Sequence, residues 1–375
     1  MRLLQLENES DSLQACAAIG RSAPDANLRG WSALVPAGAL AEGLRQSGLL
    51  VLEGSRGALA LGSVAQIWLA ARSLADAFER EPLRAAASEL SHRAAAVETP
   101  PPGSAWELPR SRLPEKRTLV MGIVNATPDS FSDGGAYDPL ARALQLAEEG
   151  ADILDVGGES TRPGAAAVDA GEERRRTEPV IRELAKRTRI PLSIDTRNAA
   201  VAAAAIDAGA EIVNDVSGLA HDPAMGRAAA GAALCLMHMR GTPADMQSRA
   251  IYGDLLGEVQ EELAQALQRA RAAGIGEERI ALDPGLGFAK TGEHNLVLLR
   301  RLREIAQLGR PVLAGASRKA FLGARTGKRA PDRLFGSIAA AVIAATNGAA
   351  VVRVHDVAAT REALAVADAV RASGA

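Results

Sequence analysis

The hydrophobic residues in the last two thirds of the chain occur in short runs, and each run ends on or next to a polar residue. Alanine-rich segments with helical spacing separate these runs. The runs are TLVMGIV near Asn125, DILDV near Asp155, LSID near Asp195, EIVND near Asn214, LCLMH near His238, IALD near Asp283, PVLAG near Ser317 and VVRVH near His355. Continuous apolar runs joined by helices are typical of parallel strands with crossover helices. The pattern therefore predicts eight βα units.

The segments between the runs have recognisable helical features. Asn198 can cap a helix over AAVAAAAIDA, and Gly209 can end it. A stripe of apolar side chains at i, i+4 spacing runs through Leu255, Val259, Leu263 and Leu267. Eight βα units in about 260 residues match the ~250 residues of a TIM barrel, so we predict an α/β fold of the (β/α)8 type. An open doubly wound sheet remains an alternative, although the glycine-rich dinucleotide fingerprint does not follow the first strand.

A proline-rich stretch, TPPPGSAWELPRSRLP at residues 99–114, divides the chain, because proline interrupts helices and cannot donate to a sheet. We predict a linker there and the barrel over residues 115–375. Upstream, LLVLEG at residues 49–54 reads as a strand, and apolar residues from Ile67 to Phe78 have helical spacing. Residues 1–98 are therefore predicted to form a small α/β domain, in which we identify no catalytic constellation.

Composition narrows the possible functions. The 43 basic and 45 acidic residues give a net charge of −2, so the field that nonspecific nucleic-acid binding requires is absent. The longest apolar stretch, residues 338–352, is shorter than the ~20 residues of a membrane span. The N-terminus has no signal-peptide pattern, and two cysteines, Cys16 and Cys235, are too few for a disulfide framework. We expect a cytoplasmic protein.

The predicted strand ends are unusually polar, and in a TIM barrel the chemistry lies at the carboxyl ends of the strands. The segments that follow the strands are GIVNATPDSFSDGG at 122–135, DVGGESTRPGA at 155–165, SIDTR with Asp195, IVNDVSG with Asn214 and Asp215, LDPGLGFAKT with Asp283, GASRK with Ser317 to Lys319, and VVRVHD with Arg353 and His355. Such clustered titratable groups favour a functional site over isolated structural carboxylates.

As an ordered set spanning about 260 residues, these segments resemble the successive motifs of bacterial dihydropteroate synthases. Two positions depart from the family pattern. Ala126 stands where members often have valine, and Ala289 stands where many have glycine. The first domain resembles the extension that precedes the barrel in some long members. The resemblance implies an enzyme of folate biosynthesis that joins a dihydropterin pyrophosphate to p-aminobenzoate and releases pyrophosphate.

The resemblance also implies roles for individual residues. Asp283 and Asn214 would bind the amino, oxo and ring-nitrogen edge of the pterin, since an adjacent pair of N–H donors suits a carboxylate. Asp195 would face the pterin and stabilise positive charge as the carbon–oxygen bond breaks. Lys319 would contact the pterin and orient the incoming amine. We therefore expect Asp195, Asp283 and Lys319 to be the catalytic residues.

The remaining roles concern the leaving group and the second substrate. Phosphate sites in this fold often use the loops after the seventh and eighth strands. The pyrophosphate ligands implied are Asn125, Arg162, Arg353 and His355, with Asn125 and Asp133 as ligands of Mg²⁺. The residues implied around p-aminobenzoate are Thr161, Pro163, Phe131, Phe288 and Ser317.

Several alternatives stay open at this point. A pterin-dependent methyltransferase would use the same barrel without a pyrophosphate site, and a catalytically silent barrel would serve only as a scaffold. Arg162, the SRK segment and the RVHD segment favour the synthase, because they suit a polyphosphate and a second substrate. His238 could belong to the site or be a hydrogen-bonded core histidine. The resemblance also implies a homodimer.

Overall fold

The computed structural model describes residues 1–6, 9–19, 28, 30–78, 82–126, 138–161, 164 and 167–373. These residues divide into two compact units. The first comprises Met1–Pro101 with Arg303–Gly309, and the second comprises Pro102–Leu302 with Arg310–Ala375. The division falls inside the proline-rich stretch.

The first unit is built on a four-stranded antiparallel sheet with the order β1-β2-β4-β3. Its elements are β1 (Arg2–Leu6), α1 (Glu9–Ala18), β2 (Gly30–Val35), α2 (Ala39–Gln46), β3 (Leu50–Gly54), β4 (Gly57–Gly62), α3 (Val64–Ala77) and α4 (Leu83–Glu98). The strand expected at residues 49–54 is β3. The expected helix is α3, which begins at a capping box of Ser63 and Gln66.

The second unit contains eight parallel strands, each of which follows a crossover from the one before. The strands are β5 (Leu119–Asn125), β6 (Ile153–Gly157), β7 (Leu192–Asp195), β8 (Ile212–Asp215), β9 (Ala233–Met237), β10 (Ile280–Asp283), β11 (Leu313–Ala314) and β12 (Val351–Val354). Hydrogen bonding runs continuously from β10 through β5 to β12 and β11. A parallel bridge between Leu282 and Val312 then joins β10 to β11. The predicted (β/α)8 barrel is therefore confirmed.

Helices follow the strands as the spacing predicted. They are α5 (Pro139–Glu148), α6 (Ala170–Arg187), α7 (Ala199–Ala208), α8 (Met225–Ala228), α9 (Leu255–Ala272), α10 (Gly292–Arg300), α11 (Leu302–Ala306), α12 (Ala320–Thr326), α13 (Leu334–Thr346) and α14 (Val357–Ala372). Most of α11 lies in the segment that is grouped with the first unit. Gly209 ends α7 with a φ of 124°, as expected.

The predicted cap at Asn198 is confirmed in its position but lacks the side-chain hydrogen bond. Asn198 does occupy the N-cap position of α7, but its side chain makes no capping hydrogen bond. Instead, Nδ2 of Asn198 donates to Oε2 of Glu173 on α6, at 2.6 Å. Glu173 is buried, and burial raises the pKa of its carboxyl group. The amide therefore satisfies a buried carboxyl group rather than the helix terminus.

The amino-terminal end of the barrel is closed by apolar side chains. Trp106 and Leu113, both from the proline-rich stretch, belong to one buried cluster with residues of the barrel strands. The indole nitrogen of Trp106 donates to the carbonyl oxygen of Arg279, at 2.9 Å. The open end of the barrel is therefore the end at which the polar carboxyl ends of the strands lie. Within the described ranges, every helix falls short of the length and apolar character that spanning a membrane demands.

Candidate active site at the carboxyl ends of the barrel strands

Three of the predicted site residues lie in one row across neighbouring strands. Asn125 on β5 pairs with Gly157 on β6, Gly157 pairs with Asp195 on β7, and Asp195 pairs with Asn214 on β8. A methyl group added to Gly157 would lie 3.5 Å from Cβ of Asp195, so the glycine leaves the space beside this carboxyl group open. The strand register thus brings Asn125, Asp195 and Asn214 to one level of the barrel.

Arg353 crosses this row from β12 and joins two carboxylates. Its Nε donates to Oδ2 of Asp155 at 2.6 Å, and its Nη2 donates to Oδ2 of Asp195 at 2.7 Å. The two nearby carboxylates raise the pKa of the guanidinium, which keeps it charged. Nη1, the third nitrogen, has no protein partner among the described residues. Arg353 is therefore held firmly while one edge of its guanidinium remains available to a ligand.

Asp155 also belongs to the site. The sequence predicted only that it lies in a strand. It is fully buried. Its Oδ2 also accepts from Nδ2 of Asn214, at 3.1 Å, and its Oδ1 has no hydrogen-bond partner in the described part of the chain. Asp155 therefore connects Arg353 to Asn214. The signal that could have revealed it is its position two residues before Gly157, on the same face of β6.

The electrostatic state of Asp195 follows from this arrangement. Burial raises the pKa of its carboxyl group to about 7, with the Arg353 guanidinium opposing the rise and the Asp155 carboxylate adding to it. Glu173 and Glu159 raise it further. Two buried carboxylates share one guanidinium, so the cluster has a negative charge when both are ionised. A cationic ligand would relieve that repulsion.

Asp283 and Lys319 form a second group in the same barrel mouth. A methyl group on Gly315 would lie 3.9 Å from Oδ2 of Asp283, 3.9 Å from Nζ of Lys319 and 3.8 Å from Cβ of Arg353, so all three side chains converge there. Burial lowers the pKa of Lys319 to about 8, against the opposing effect of Asp283. Burial also raises the pKa of Asp283, which Lys319 opposes.

Phe288 lies beside Lys319. The Nζ atom is 4.4 Å from the centre of the aromatic ring, within the range of a cation–π contact. Phe288 is 8% exposed and shares a cluster with Met237 and Met246. The next residue, Ala289, has a φ of 47°, in the left-handed region that favours glycine. The departure from the family pattern at this position therefore retains a backbone conformation for which glycine is better suited.

Ser317 and His355 meet at the ends of β11 and β12. Oγ of Ser317 lies 2.9 Å from Nδ1 of His355, and the backbone N–H of His355 donates to the same hydroxyl group. Arg318 instead points to the start of α14, where its Nη2 donates to Oδ1 of Asp356 at 2.6 Å. Ser317 and His355 are therefore one polar unit.

The first two loops are described only in part. Asn125 and Thr161 are partly buried at the ends of the described segments. The remaining predicted residues, Phe131, Asp133, Arg162 and Pro163, lie outside the described residues.

His238 is a paired, buried histidine. Its Nδ1 lies 2.9 Å from Nζ of Lys290, and its Nε2 lies 3.0 Å from Oε2 of Glu262, close enough for an electrostatic contact but without the geometry of a hydrogen bond. Burial and the charge on Lys290 lower the pKa of His238 to about 4, so the imidazole is neutral. Lys290 is itself buried, which lowers its pKa to about 7. Lys290 follows Ala289 directly and had no role predicted from its sequence context.

Comparison with known proteins places this geometry in a family. The family model described as pterin binding enzyme matches residues 121–355. The dihydropteroate synthase of Synechocystis sp. is 48% identical over 261 residues, which cover 68% of this chain and 90% of that protein. The chain belongs to the dihydropteroate synthase family. It is therefore a transferase of folate biosynthesis.

Solved dihydropteroate synthases have the same fold as this chain. The Xanthomonas albilineans enzyme with 4-aminobenzoic acid has a TM-score of 0.65 and 48% identity, covering 68% of this chain and 94% of that one. The Burkholderia cenocepacia enzyme complexed with 7,8-dihydropteroate has a TM-score of 0.64 and 45% identity, covering 71% and 96%. At these identities, the chain groups with the synthases, which rules against the methyltransferase alternative.

Proposed function

We propose that the chain condenses 6-hydroxymethyl-7,8-dihydropterin pyrophosphate with p-aminobenzoate to give 7,8-dihydropteroate and pyrophosphate. The observation that carries the proposal is the convergence of Asp283, Lys319 and Arg353 around Gly315, beside Asp195. Carboxylates that suit a pterin therefore lie next to cations that suit a phosphate, which supports the proposal. The related enzymes with 4-aminobenzoic acid and 7,8-dihydropteroate support the same substrates.

In this proposal the pterin lies between the two groups of the site. Asp283 accepts hydrogen bonds from the 2-amino group and the adjacent ring N–H, and Asn214 bonds the remaining ring nitrogens. Lys319 donates to the carbonyl side of the pterin. The orientation of Asn214 supports this role, because its amide is already fixed by Asp155.

The pyrophosphate is assigned to Arg353, His355 and Asn125, with Arg162 assigned from the resemblance alone. The free edge of Arg353 and the Ser317–His355 pair suit phosphate oxygens. Asn125 offers an amide oxygen, the hard donor type that Mg²⁺ takes when phosphates and waters fill its other positions, so the residue fits this metal. Asp133 would be its second protein ligand. Bound Mg²⁺ would neutralise charge on the leaving pyrophosphate.

The aromatic amine is assigned to the side of Lys319 that faces Phe288. The ring of Phe288 would form one wall of its site, with Pro163 and Phe131 as further walls, and Ser317 and Thr161 would bind its carboxylate. The contact between Lys319 and Phe288 supports a lysine that touches both substrates.

The reaction we propose is a dissociative substitution. The bond between the exocyclic carbon and oxygen breaks, and its electron pair leaves with pyrophosphate. Asp195 stabilises the resulting pterin cation, which suits a buried carboxylate in a negatively charged cluster. The amine nitrogen then forms the new carbon–nitrogen bond and releases one proton. No residue forms a covalent bond with substrate.

The test is pyrophosphate release by the purified full chain when both substrates and Mg²⁺ are present. We expect release to require p-aminobenzoate and to stop when a chelator removes the metal. Formation of 7,8-dihydropteroate, measured by chromatography, should match the released pyrophosphate one to one. Pyrophosphate release that p-aminobenzoate does not increase, or no 7,8-dihydropteroate at any substrate concentration, would contradict the proposed function.

The pH dependence provides a prediction for the carboxylate cluster. If ionised Asp195 stabilises the cation, kcat/KM for the pterin should rise as the pH rises through about 7, where this carboxyl group loses its proton. Asp155 raises the pKa of Asp195, so Asp155→Asn should move this acid limb to lower pH. The measurement is the pH profile of kcat/KM for both proteins. An unmoved limb would mean that another group titrates.

The association of two copies is a further part of the proposal. On α13 and α14, large apolar side chains are exposed, including Phe335 (82%) and Val370 (68%), with Ile343 and Val366 nearby in sequence. Their exposure and the homodimer implied by the resemblance support a face that a second copy covers.

Phe335→Asp is expected to weaken dimerisation about 100-fold, because burying a phenylalanine contributes roughly 1.5–3 kcal/mol and a charge would oppose burial. Sedimentation equilibrium measures the change. Ile251→Asp is the matched control, since Ile251 is 78% exposed but lies outside both helices. A wild-type chain that remains monomeric at high concentration would refute the dimer.

We also propose a cytoplasmic location. Cys16 and Cys235 are both free and buried, which suits a reducing compartment.

A further inference from the structure

The segment that follows β10 has an unusual backbone. Gly285, Gly287 and Ala289 have φ values of 70°, 86° and 47°, all in the left-handed region. The two glycines adopt this conformation without strain but are flexible, whereas Ala289 adopts it with strain. The segment therefore needs contacts with other parts of the chain to keep its conformation. This segment presents Phe288 to the site.

Side chains hold four consecutive carbonyl groups of this segment. The donors are Lys319 to Leu286, Gln247 to Gly287 at 3.2 Å, Lys290 to Phe288 at 3.0 Å, and Tyr252 to Ala289 at 2.9 Å. One of these donors, Lys319, is a residue of the proposed active site. The position of its Nζ atom therefore depends on the position of the segment.

Lys290 is the donor that continues away from the site. Besides the Phe288 carbonyl, its Nζ lies 2.9 Å from Nδ1 of His238. His238 is neutral, so Nδ1 can accept from Lys290 while Nε2 carries the proton. Nε2 lies 3.0 Å from Oε2 of Glu262, which makes an electrostatic contact without the geometry of a hydrogen bond. Arg240 also donates to Glu262. A continuous chain of contacts thus runs from the Phe288 backbone to α9.

We propose that Lys290, His238 and Glu262 form a positioning chain that fixes Phe288 and Lys319 for the aromatic amine. None of the three touches substrate in this scheme. Displacement of the Phe288 backbone would move the ring that walls the amine site and, through the Leu286 carbonyl, the ammonium group of Lys319. The inference rests on the proposed function, because it concerns the binding of the second substrate.

The chemistry of Lys290 supports positioning over simple packing. Burying an amine is costly, and an apolar side chain of similar length would fill the same volume without that cost. What the amine adds is two directed hydrogen bonds, one to the backbone of the Phe288 wall and one to His238. The far end of the chain, Glu262, is partly exposed and lines a cavity of about 520 Å³, so substitutions there leave no buried void.

The main test is Lys290→Met, which keeps the length of the side chain and removes the amine that bonds to His238 and to the Phe288 carbonyl. We expect KM for p-aminobenzoate to rise about tenfold or more, since displacements of about 1 Å can cost up to about 100-fold. We expect kcat to fall as well, because Lys319 moves with the segment, whereas KM for the pterin pyrophosphate should remain within about threefold of wild type. Steady-state kinetics with each substrate varied in turn measures both.

Two substitutions at Glu262 test the chain at its other end. Glu262→Gln keeps a polar oxygen next to Nε2 of His238 and should retain KM for p-aminobenzoate within about threefold, whereas Glu262→Ala removes that oxygen and should raise KM several-fold. Glu211→Gln is the matched control. Glu211 is buried, accepts hydrogen bonds from Ser111, and lies at the amino end of β8, far along the strand from the site residues.

The outcomes separate the inference from the function on which it rests. A wild-type chain without synthase activity would refute the proposed function before any variant is compared. With an active wild type, Lys290→Met that melts at lower temperature but keeps KM for p-aminobenzoate within twofold would overturn the positioning role. An equal rise in both KM values would overturn it as well.

Discussion

Replacing Asp195 by asparagine is expected to lower kcat by about 10²- to 10³-fold, because removing one fixed electrostatic group aimed at developing charge costs roughly 3–4 kcal/mol. Asparagine has the same shape and can still accept from Nη2 of Arg353, so the geometry of the pair should persist. What disappears is the negative charge beside the pterin cation. The measurement is steady-state pyrophosphate release at saturating substrates.

The same substitution should not destabilise the fold above pH 7. Burial raises the pKa of Asp195 in the folded chain above that of an unfolded aspartate, so ionisation of this group opposes folding as the pH rises through about 7. Asparagine removes that opposition. Thermal melting at pH 8 is therefore expected at or above the wild-type temperature.

Asp152→Asn is the matched control for this prediction. Asp152 is also buried and also bonds to arginine, in its case Arg117 and Arg361, but it precedes β6 at the amino-terminal end of the barrel. Loss of its charge should weaken stability by about 1–3 kcal/mol and leave kcat near wild type. Asp195→Asn should do the reverse. If Asp195→Asn keeps near-normal turnover, the carboxylate does not stabilise the transition state.

The barrel could be predicted from the sequence because its parallel strands are buried on both faces. Such strands require continuous apolar runs, and each run found in the sequence corresponds to one strand of the sheet. Only β11 is much shorter than its run, with two regular residues, and the chain turns soon after it at Ser317 and Arg318. The residues at the strand ends could be predicted as site residues once the fold was predicted, because the active sites of TIM barrels lie at the carboxyl ends of the strands.

Contacts between residues far apart in sequence could not be predicted. Asp155 looked like one polar residue in an apolar strand, and its role emerges only because Arg353, 198 residues away, reaches it. Lys290 and His238 are 52 residues apart. The missing side-chain hydrogen bond of the Asn198 cap has the same cause, since a buried glutamate on another helix competes for its amide. Local propensity cannot anticipate such tertiary partners.

The second large effect is expected at Lys319. Lys319→Ala should lower kcat/KM by about 10³-fold, because it removes the only side chain proposed to contact both substrates and to orient one toward the other. It also removes the cation that holds down the pKa of Asp283, so that carboxyl group should protonate more readily and bind the pterin less well. The exposed Lys186 on α6 provides a control, since Lys186→Ala should change neither kcat nor KM.

The pH profile assigns the effect to the charge on Lys319. The pKa of this lysine is lowered to about 8, so wild-type kcat/KM should fall as the pH rises through about 8 and the ammonium loses its proton. Lys319→Arg keeps a cation that does not titrate in this range, so its lower activity should show no alkaline limb near pH 8. An unchanged alkaline limb in Lys319→Arg would assign the titration to another group and remove Lys319 from the proposed role. Its disappearance would tie substrate alignment to one ammonium group, held between Asp283, the Leu286 carbonyl and the ring of Phe288.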